Sequence, residues 1–244
     1  MKAFEQYISG IQSLTSLLLR QKEKIIEAGE LVAHTIENNG YIYASGTGHS
    51  HMLAEEIFYR AGGFARVIPV LDEGLMLHKS ASGSTVLERK ENLGRELLIP
   101  YSLTSNDVLI VASNSGRNSV SIEMAMYARE QVCPVIAITS LQHTLQVDSR
   151  HSSGKRLFEV SDVFIDNLGC FGDTSVELPG MSGKVGATST VMGAMIVQSL
   201  IVHACHILIQ KGIVPEVFSS SNTDEGDAMN DLLLSKYKSK VPLL

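Results

Sequence analysis

The residues from Ser113 to Ser119, Ser-Asn-Ser-Gly-Arg-Asn-Ser, place three serines, two asparagines and a glycine in seven positions. Asn106-Asp107 and the aliphatic run Val108-Leu-Ile-Val-Ala112 precede them. Val120-Ser-Ile-Glu-Met-Ala-Met-Tyr-Ala-Arg129 follows, with apolar positions at helical spacing. This order predicts a buried parallel strand, a loop rich in hydrogen-bond donors, and a helix whose N-terminus faces the loop. Unpaired N–H groups of a first helical turn and the positive end of the helix dipole favour an anion there. Ser113, Asn114, Ser115, Asn118 and Ser119 add side-chain donors, and Gly116 lets the backbone approach closely. The ligand expected here is a phosphate ester. The alternative is that Asn118 or Ser119 merely caps the helix. Capping alone leaves the rest of the donor set unexplained.

A second strand end, Ser45-Gly46-Thr47-Gly48-His49-Ser50, has the glycine-rich form of a loop that cradles a polar ligand. No Gly-Lys-Ser/Thr follows it and the glycines do not fit G-x-G-x-x-G, which argues against a nucleotide. Contacts to a sugar are the expectation, and a simple tight turn is the alternative. His51 and Glu55 lie one turn apart, a spacing that suits a metal, a proton relay or a plain ion pair. The polar stretch 72–91 offers His78, Glu88 and Glu91 as acid or base, although Thr85 and Glu88 also fit a capping box. His203 and His206 share one face of a long apolar helix, where the alternative is a pair of neutral histidines bonded to backbone. Asp173, Glu177, Lys184 and Thr188–Thr190 stand before that helix as substrate contacts or caps.

These loops need a frame. Strands are expected at Tyr41–Ser45, Arg66–Val70, Val108–Ala112, Val135–Thr139 and Val163–Asp166. Helices are expected at about 50–61, 86–98, 118–131, shortly after Ser140, and at 186–211. Short apolar runs separated by helices predict an α/β fold, a parallel sheet covered on both faces. Ligands then bind beyond the carboxyl ends of the strands. Residues 1–38 form an N-terminal helical segment packing on the domain or on a partner subunit, 39–212 the central domain, and 213–244 a tail. The tail is expected over the site, over a partner, or frayed.

The totals narrow the function. The chain has 244 residues and a net charge of −6, with its basic residues scattered, which excludes nucleic acid as the main partner. Cys133, Cys170 and Cys205 are far apart and read as free thiols in a reducing, cytoplasmic setting. Val191–Ile209 is about long enough to cross a bilayer. Gln198, Ser199, His203 and His206 inside it favour a core helix over a membrane span.

Together the Ser113-Asn-Ser-Gly116 loop after its strand, Pro134-Val-Ile-Ala-Ile-Thr-Ser140 and Ser45-Gly-Thr-Gly48 resemble the sugar isomerase (SIS) domain family, over roughly residues 30 to 212. The resemblance implies a three-layer α-β-α sandwich with a five-stranded parallel sheet of flavodoxin-like order. It implies a homodimer or homotetramer with sites near subunit boundaries, and a sugar phosphate held by Ser113, Ser115 and their neighbours. Within the family the chain is most similar to phosphoheptose isomerases, in a branch whose reaction the resemblance does not fix. His203 falls where those enzymes carry a catalytic histidine, whereas their glutamate finds Tyr59 or Arg60 here. The expected reaction is aldose–ketose isomerisation through an enediol, with His203 as base and Glu88, His51 or Glu55 as its partner. No cofactor is required, and a divalent metal is compatible with it. The alternatives are a non-catalytic phosphosugar sensor, and a lyase or etherase acting on an amino-sugar 6-phosphate.

Overall fold

The computed structural model describes residues 2–244. Helices α1 (Ala3–Leu18) and α2 (Lys22–Glu37) lead into β1 (Ile42–Gly46), α3 (Met52–Ile57) and β2 (Val67–Val70). Then come α4 (Leu77–Leu87), α5 (Leu93–Leu98), β3 (Val108–Ala112), α6 (Ser119–Glu130), β4 (Val135–Thr139), α7 (Leu141–Thr144) and β5 (Val163–Asp166). The chain closes with a hairpin of β6 (Thr174–Glu177) and β7 (Lys184–Ala187), the long α8 (Ser189–Gln210) and α9 (Asp224–Tyr237). The five strands β1–β5 are all parallel in the order β2-β1-β3-β4-β5, the flavodoxin-like arrangement.

Strand residues alternate between two cores, as the two-residue period of a strand demands. Ile42, Ala44, Val108, Ile110, Ile136 and Ile138 face α2, α3 and α8. Tyr43, Leu109, Val111, Val135 and Ala137 face α5, α6 and the C-terminal tail. The helix α8 is long and apolar enough to cross a membrane. One face of it, including Met192, Ile196, Leu200 and Leu208, lies in the first core instead. Close approach is built in, because a Cβ on Gly29 would meet the His203 ring at 2.7 Å and one on Gly193 would meet Leu53 at 2.5 Å.

All five expected strands form, each within one residue of its predicted limits. Several helices differ. The helix expected over 50–61 ends at Ile57, because Phe58 turns extended and Tyr59 takes a positive φ of 42°. The helix expected over 86–98 is two helices, α4 and α5, separated by Asn92 in the left-handed region. The capping-box reading of Thr85 and Glu88 therefore fails. Thr85 sits inside α4 with its hydroxyl donating to Ala81 O at 3.2 Å, and Glu88 ends that helix. The helix expected from 186 starts only at Ser189, because 184–187 pair with β6, a hairpin unmarked by any strong strand pattern.

The tail does not cover the carboxyl ends of the strands. Phe64 bridges Val217 in antiparallel fashion just before β2 begins, and Tyr237 and Val241 are fully buried in the second core. The Arg66 guanidinium stacks 5.0 Å from the Tyr237 ring centroid and donates to Asn39 O at 2.8 Å. This end of the molecule is thus closed by the tail, and the opposite end is left for the loops. Replacing Tyr237 by Ala should lower unfolding free energy by about 3–5 kcal/mol, as for other buried aromatics. A urea denaturation curve checks this, and an unchanged midpoint would show the tail to be dispensable.

Candidate functional site at the carboxyl ends of β1 and β3

The loops after β1, β3 and β5 and the start of α8 converge on one small cleft. Ser50, Leu53, Ala112, Ser113, Asn114, Ile138, Asn167, Ser189 and Thr190 line it. The order β2-β1-β3 puts β1 and β3 side by side while α3 and α6 leave to opposite faces, so a crevice opens between them.

The loop 113–119 is held from below. Gly116 has φ +58°, and a Cβ there would lie 2.9 Å from Thr139 Oγ1 and 3.2 Å from Thr144 Oγ1. Its N–H donates to Ser113 Oγ at 3.2 Å, and its carbonyl accepts from Leu157 N at 2.8 Å. Ser140 N donates to Asn114 O at 3.0 Å, tying the loop to the end of β4. Among the described residues the amides of Ser115, Arg117 and Asn118, and the Ser115 hydroxyl, find no acceptor in the chain. Successive free N–H groups around a glycine of positive φ form a concavity suited to an anion.

Asn118 precedes α6 but its side chain makes no cap bond. Its Oδ1 accepts from Arg150 Nη1 at 3.0 Å. Ser119 Oγ donates to Arg89 O at 3.2 Å, so neither residue plays the capping role. In their place Val120 N donates to Glu88 O at 3.2 Å.

The glycine-rich loop after β1 divides. Ser45, expected among the sugar contacts, is buried in the strand with its hydroxyl donating to Val70 O at 2.8 Å, because β2 lies directly beside it. That corrects the expectation for Ser45. Gly46 is required by crowding, since a Cβ would lie 2.5 Å from the Ser50 backbone. Thr47 Oγ1 donates to Glu88 Oε2 at 2.8 Å, which ties Glu88 to the loop after β1. Gly48 adopts φ +54°, His49 is exposed, and Ser50 faces the cleft.

His51 Nδ1 is bonded to the Gly48 carbonyl, and its Nε2 lies 3.6 Å from Glu55 Oε2. No third histidine, cysteine or carboxylate joins them among the described residues. Glu91 accepts from Ser152 N at 2.6 Å, which holds its carboxyl below the usual range, and His78 is exposed on α4.

The fold separates His203, expected as the catalytic base, clearly from the loop within one chain. It lies thirteen residues along α8 from Thr190, about 20 Å at the helical rise. Its ring sits 6.4 Å from that of His206, in an open groove with Gln198, Ser199 and Val202. The apolar pattern places α8 but does not say which end meets the strand ends.

Asn167 is a residue that pattern reading missed. It follows β5 directly, as Ser113 follows β3. Its Nδ2 donates to Asn114 Oδ1 at 2.9 Å and its Oδ1 accepts from Gly169 N at 2.9 Å. Asp173, with φ +67°, accepts from Ser189 N at 2.9 Å and Thr188 N at 3.2 Å. The cap of α8 is therefore a distant carboxylate and not Thr188, Ser189 or Thr190. Glu177 and Lys184 pair across the hairpin at 2.9 Å, away from the cleft. Nearby, burial, then the Arg117 charge, pushes the His143 imidazole below its ordinary range.

Replacing Gly116 by Ala would set a β-carbon against Thr139 and force a strained φ, for a loss of about 1–3 kcal/mol. A lowered melting temperature with an opened loop is the expected result. Wild-type stability in that variant would show that the loop is not held as described.

The comparisons with known proteins come to the same fold. The SIS domain profile matches residues 6–140. A UPF0309 protein of Listeria monocytogenes is 43% identical over 234 residues, 96% of this chain and 95% of its own. One from Halalkalibacterium halodurans is 42% identical over 236 residues, 97% and 95% of the two chains. Among solved structures, a phosphoheptose isomerase from Francisella tularensis has a TM-score of 0.53 at 14% identity, covering 84% of this chain and 98% of that one. That likeness speaks for the fold. The donor-lined cleft thus lies in a chain that belongs to the SIS domain family and, within it, to the UPF0309 proteins.

Proposed function

We propose that this protein binds a sugar phosphate, with the phosphate in the loop 113–119, and isomerises the sugar between aldose and ketose forms in the cytoplasm. One observation carries the reading. The free amides of Ser115, Arg117 and Asn118 and the Ser115 hydroxyl converge where β1 and β3 part, beside a cleft lined by further hydroxyls and amides. Ser113, Asn114, Gly116 and Ser119 shape that grip. Thr47, Gly48, His49 and Ser50 lie on the side where the sugar would extend. Anchoring the phosphate fixes the reacting carbon, and a base then removes the proton beside the carbonyl to give an enediol.

Glu88 is the carboxylate tied to the loop after β1, oriented by Thr47. His203 would act from a second copy. The α8 residues Val191, Met195, Gln198, Val202, Cys205 and Ile209 recur at alternating spacings of four and three, and Val191, Val202 and Ile209 are exposed. Such a stripe suits the seam of a helix pair. An antiparallel pair, which a twofold axis across the helices generates, sets the C-terminal half of one α8 against the N-terminal half of the other, where Ser189 and Thr190 line the cleft. A homodimer follows from this reading. The distance between His203 and the loop within one chain favours a second reading, a non-catalytic phosphosugar sensor.

Two measurements decide. A sugar phosphate at 100 times its dissociation constant should stabilise the fold by about 2.7 kcal/mol in a thermal-shift panel. Ser115→Ala should weaken binding roughly tenfold or more, the worth of a hydrogen bond to a charged group. A panel in which no sugar phosphate moves the melting point sinks the proposal. His203→Asn should abolish turnover while leaving phosphate affinity unchanged. Full turnover in that variant removes His203 from the reaction, and a parent protein that binds without turnover favours the sensor.

A further inference from the structure

Three arginines ring the first turn of α6, beside the loop 113–119. Arg89, Arg117 and Arg150 come from three separate segments, yet each is tied to the first turn of α6. Arg150 Nη1 donates to Asn118 Oδ1 at 3.0 Å, and the Arg150 amide donates to Arg117 O at 2.8 Å. Arg117 Nε donates to Asp148 O at 2.8 Å, and Arg89 O accepts the Ser119 hydroxyl at 3.2 Å. A backbone carbonyl holds the Arg117 guanidinium and a side-chain amide holds that of Arg150, not counter-charges.

Among the described residues, four of the other six arginines pair with a carboxylate, and Arg20 and Arg66 do not. Arg60, Arg95, Arg129 and Arg156 each lie within 4.0 Å of a carboxylate, at 2.5, 2.6, 3.2 and 3.1 Å. Arg89, Arg117 and Arg150 make no such pair among the described residues. Burial and then the charges of Arg117 and Arg89 push the Arg150 guanidinium down, with only Glu88 opposing them. Glu88 is itself engaged by Thr47 at 2.8 Å. Like charges gathered on long side chains repel, and an arriving anion relieves that repulsion. Planar guanidinium groups also match the paired oxygens of a carboxylate or phosphate.

We propose that these arginines receive a second acidic group of the ligand, so that the substrate is a sugar phosphate that also carries a carboxylate or a second phosphate. The inference rests on the reading of the loop 113–119 as the grip for the first phosphate. The free backbone amides of the loop and the Ser115 hydroxyl are uncharged and compact, suited to one terminal monoester. The guanidinium groups of Arg89 and Arg150, which come from outside that loop, would meet a different part of the molecule.

Calorimetric titration at fixed ionic strength tests this with two pairs of ligands. Fructose 6-phosphate against fructose 1,6-bisphosphate adds a phosphate, and glucose 6-phosphate against 6-phosphogluconate adds a carboxylate. At least one diacid should bind about tenfold tighter than its monophosphate partner, and the pair that does so names the second group. Because the ratio is measured on the unaltered protein, it does not depend on any variant folding. The double variant Arg89→Gln and Arg150→Gln should reduce that ratio to about threefold or less, the ratio being taken within the variant so that any loss common to both ligands cancels. Equal affinity within both pairs overturns the inference and leaves the loop reading standing. A diacid preference that survives the double variant also overturns it. Binding of none of the four, with Ser115→Ala behaving like the parent, removes both readings together.

Discussion

The parallel pairing of β1 with β3 is the contact on which the cleft depends. These strands run side by side with Ser45 opposite Val111 and Gly46 opposite Ala112, so their ends finish level. The chain then leaves them in opposite directions, through α3 to the face covered by α8 and through α6 to the face covered by α5. Neither helix covers the gap between the two strand ends. Backbone N–H groups at that gap have no strand partner, and that is why a loop rich in donors sits there without burying them.

The loops that fill the gap are braced by their neighbours. Gly116 turns with a positive φ because Thr139 and Thr144 leave no space for a Cβ below it. Asn167 fixes the Asn114 amide, and Asp173 satisfies the start of α8. Each brace comes from the end of a different strand or helix, so the geometry of the loop is a property of the whole sheet. The opposite end of the sheet is closed by the tail through Arg66 and Tyr237. One end is packed for stability, and the other keeps its polar groups available.

Much of this was legible in the residue order. The five strands stand out because each is a short apolar run between turn formers, and two-sided burial leaves no polar alternation to confuse the pattern. The serine-rich loop was legible because so many donors are rarely needed for capping alone. Helix limits were less so. Phe58 and Asn92 end helices through backbone angles that depend on what packs beside them, and the β6–β7 hairpin shows little strand propensity of its own. Thr85 and Glu88 fit a local capping rule, yet α4 begins earlier because Leu75 and Met76 are drawn into the core.

What the residue order determined by itself was therefore the kind of fold and the chemical character of one loop, since both follow from local pattern and side-chain type. Only the tertiary structure decided which groups share the cleft. Ser45 and Ser50 are five residues apart, yet one is locked against β2 and the other faces the opening. Glu88, Asn167 and Arg150 come to the loops after β1 and β3 from distant segments, whereas His203 lies far along α8 from the end that lines the cleft. The reason is physical: burial pattern records only whether a residue faces inward, and the direction in which each helix runs is set by the packing of one element on another.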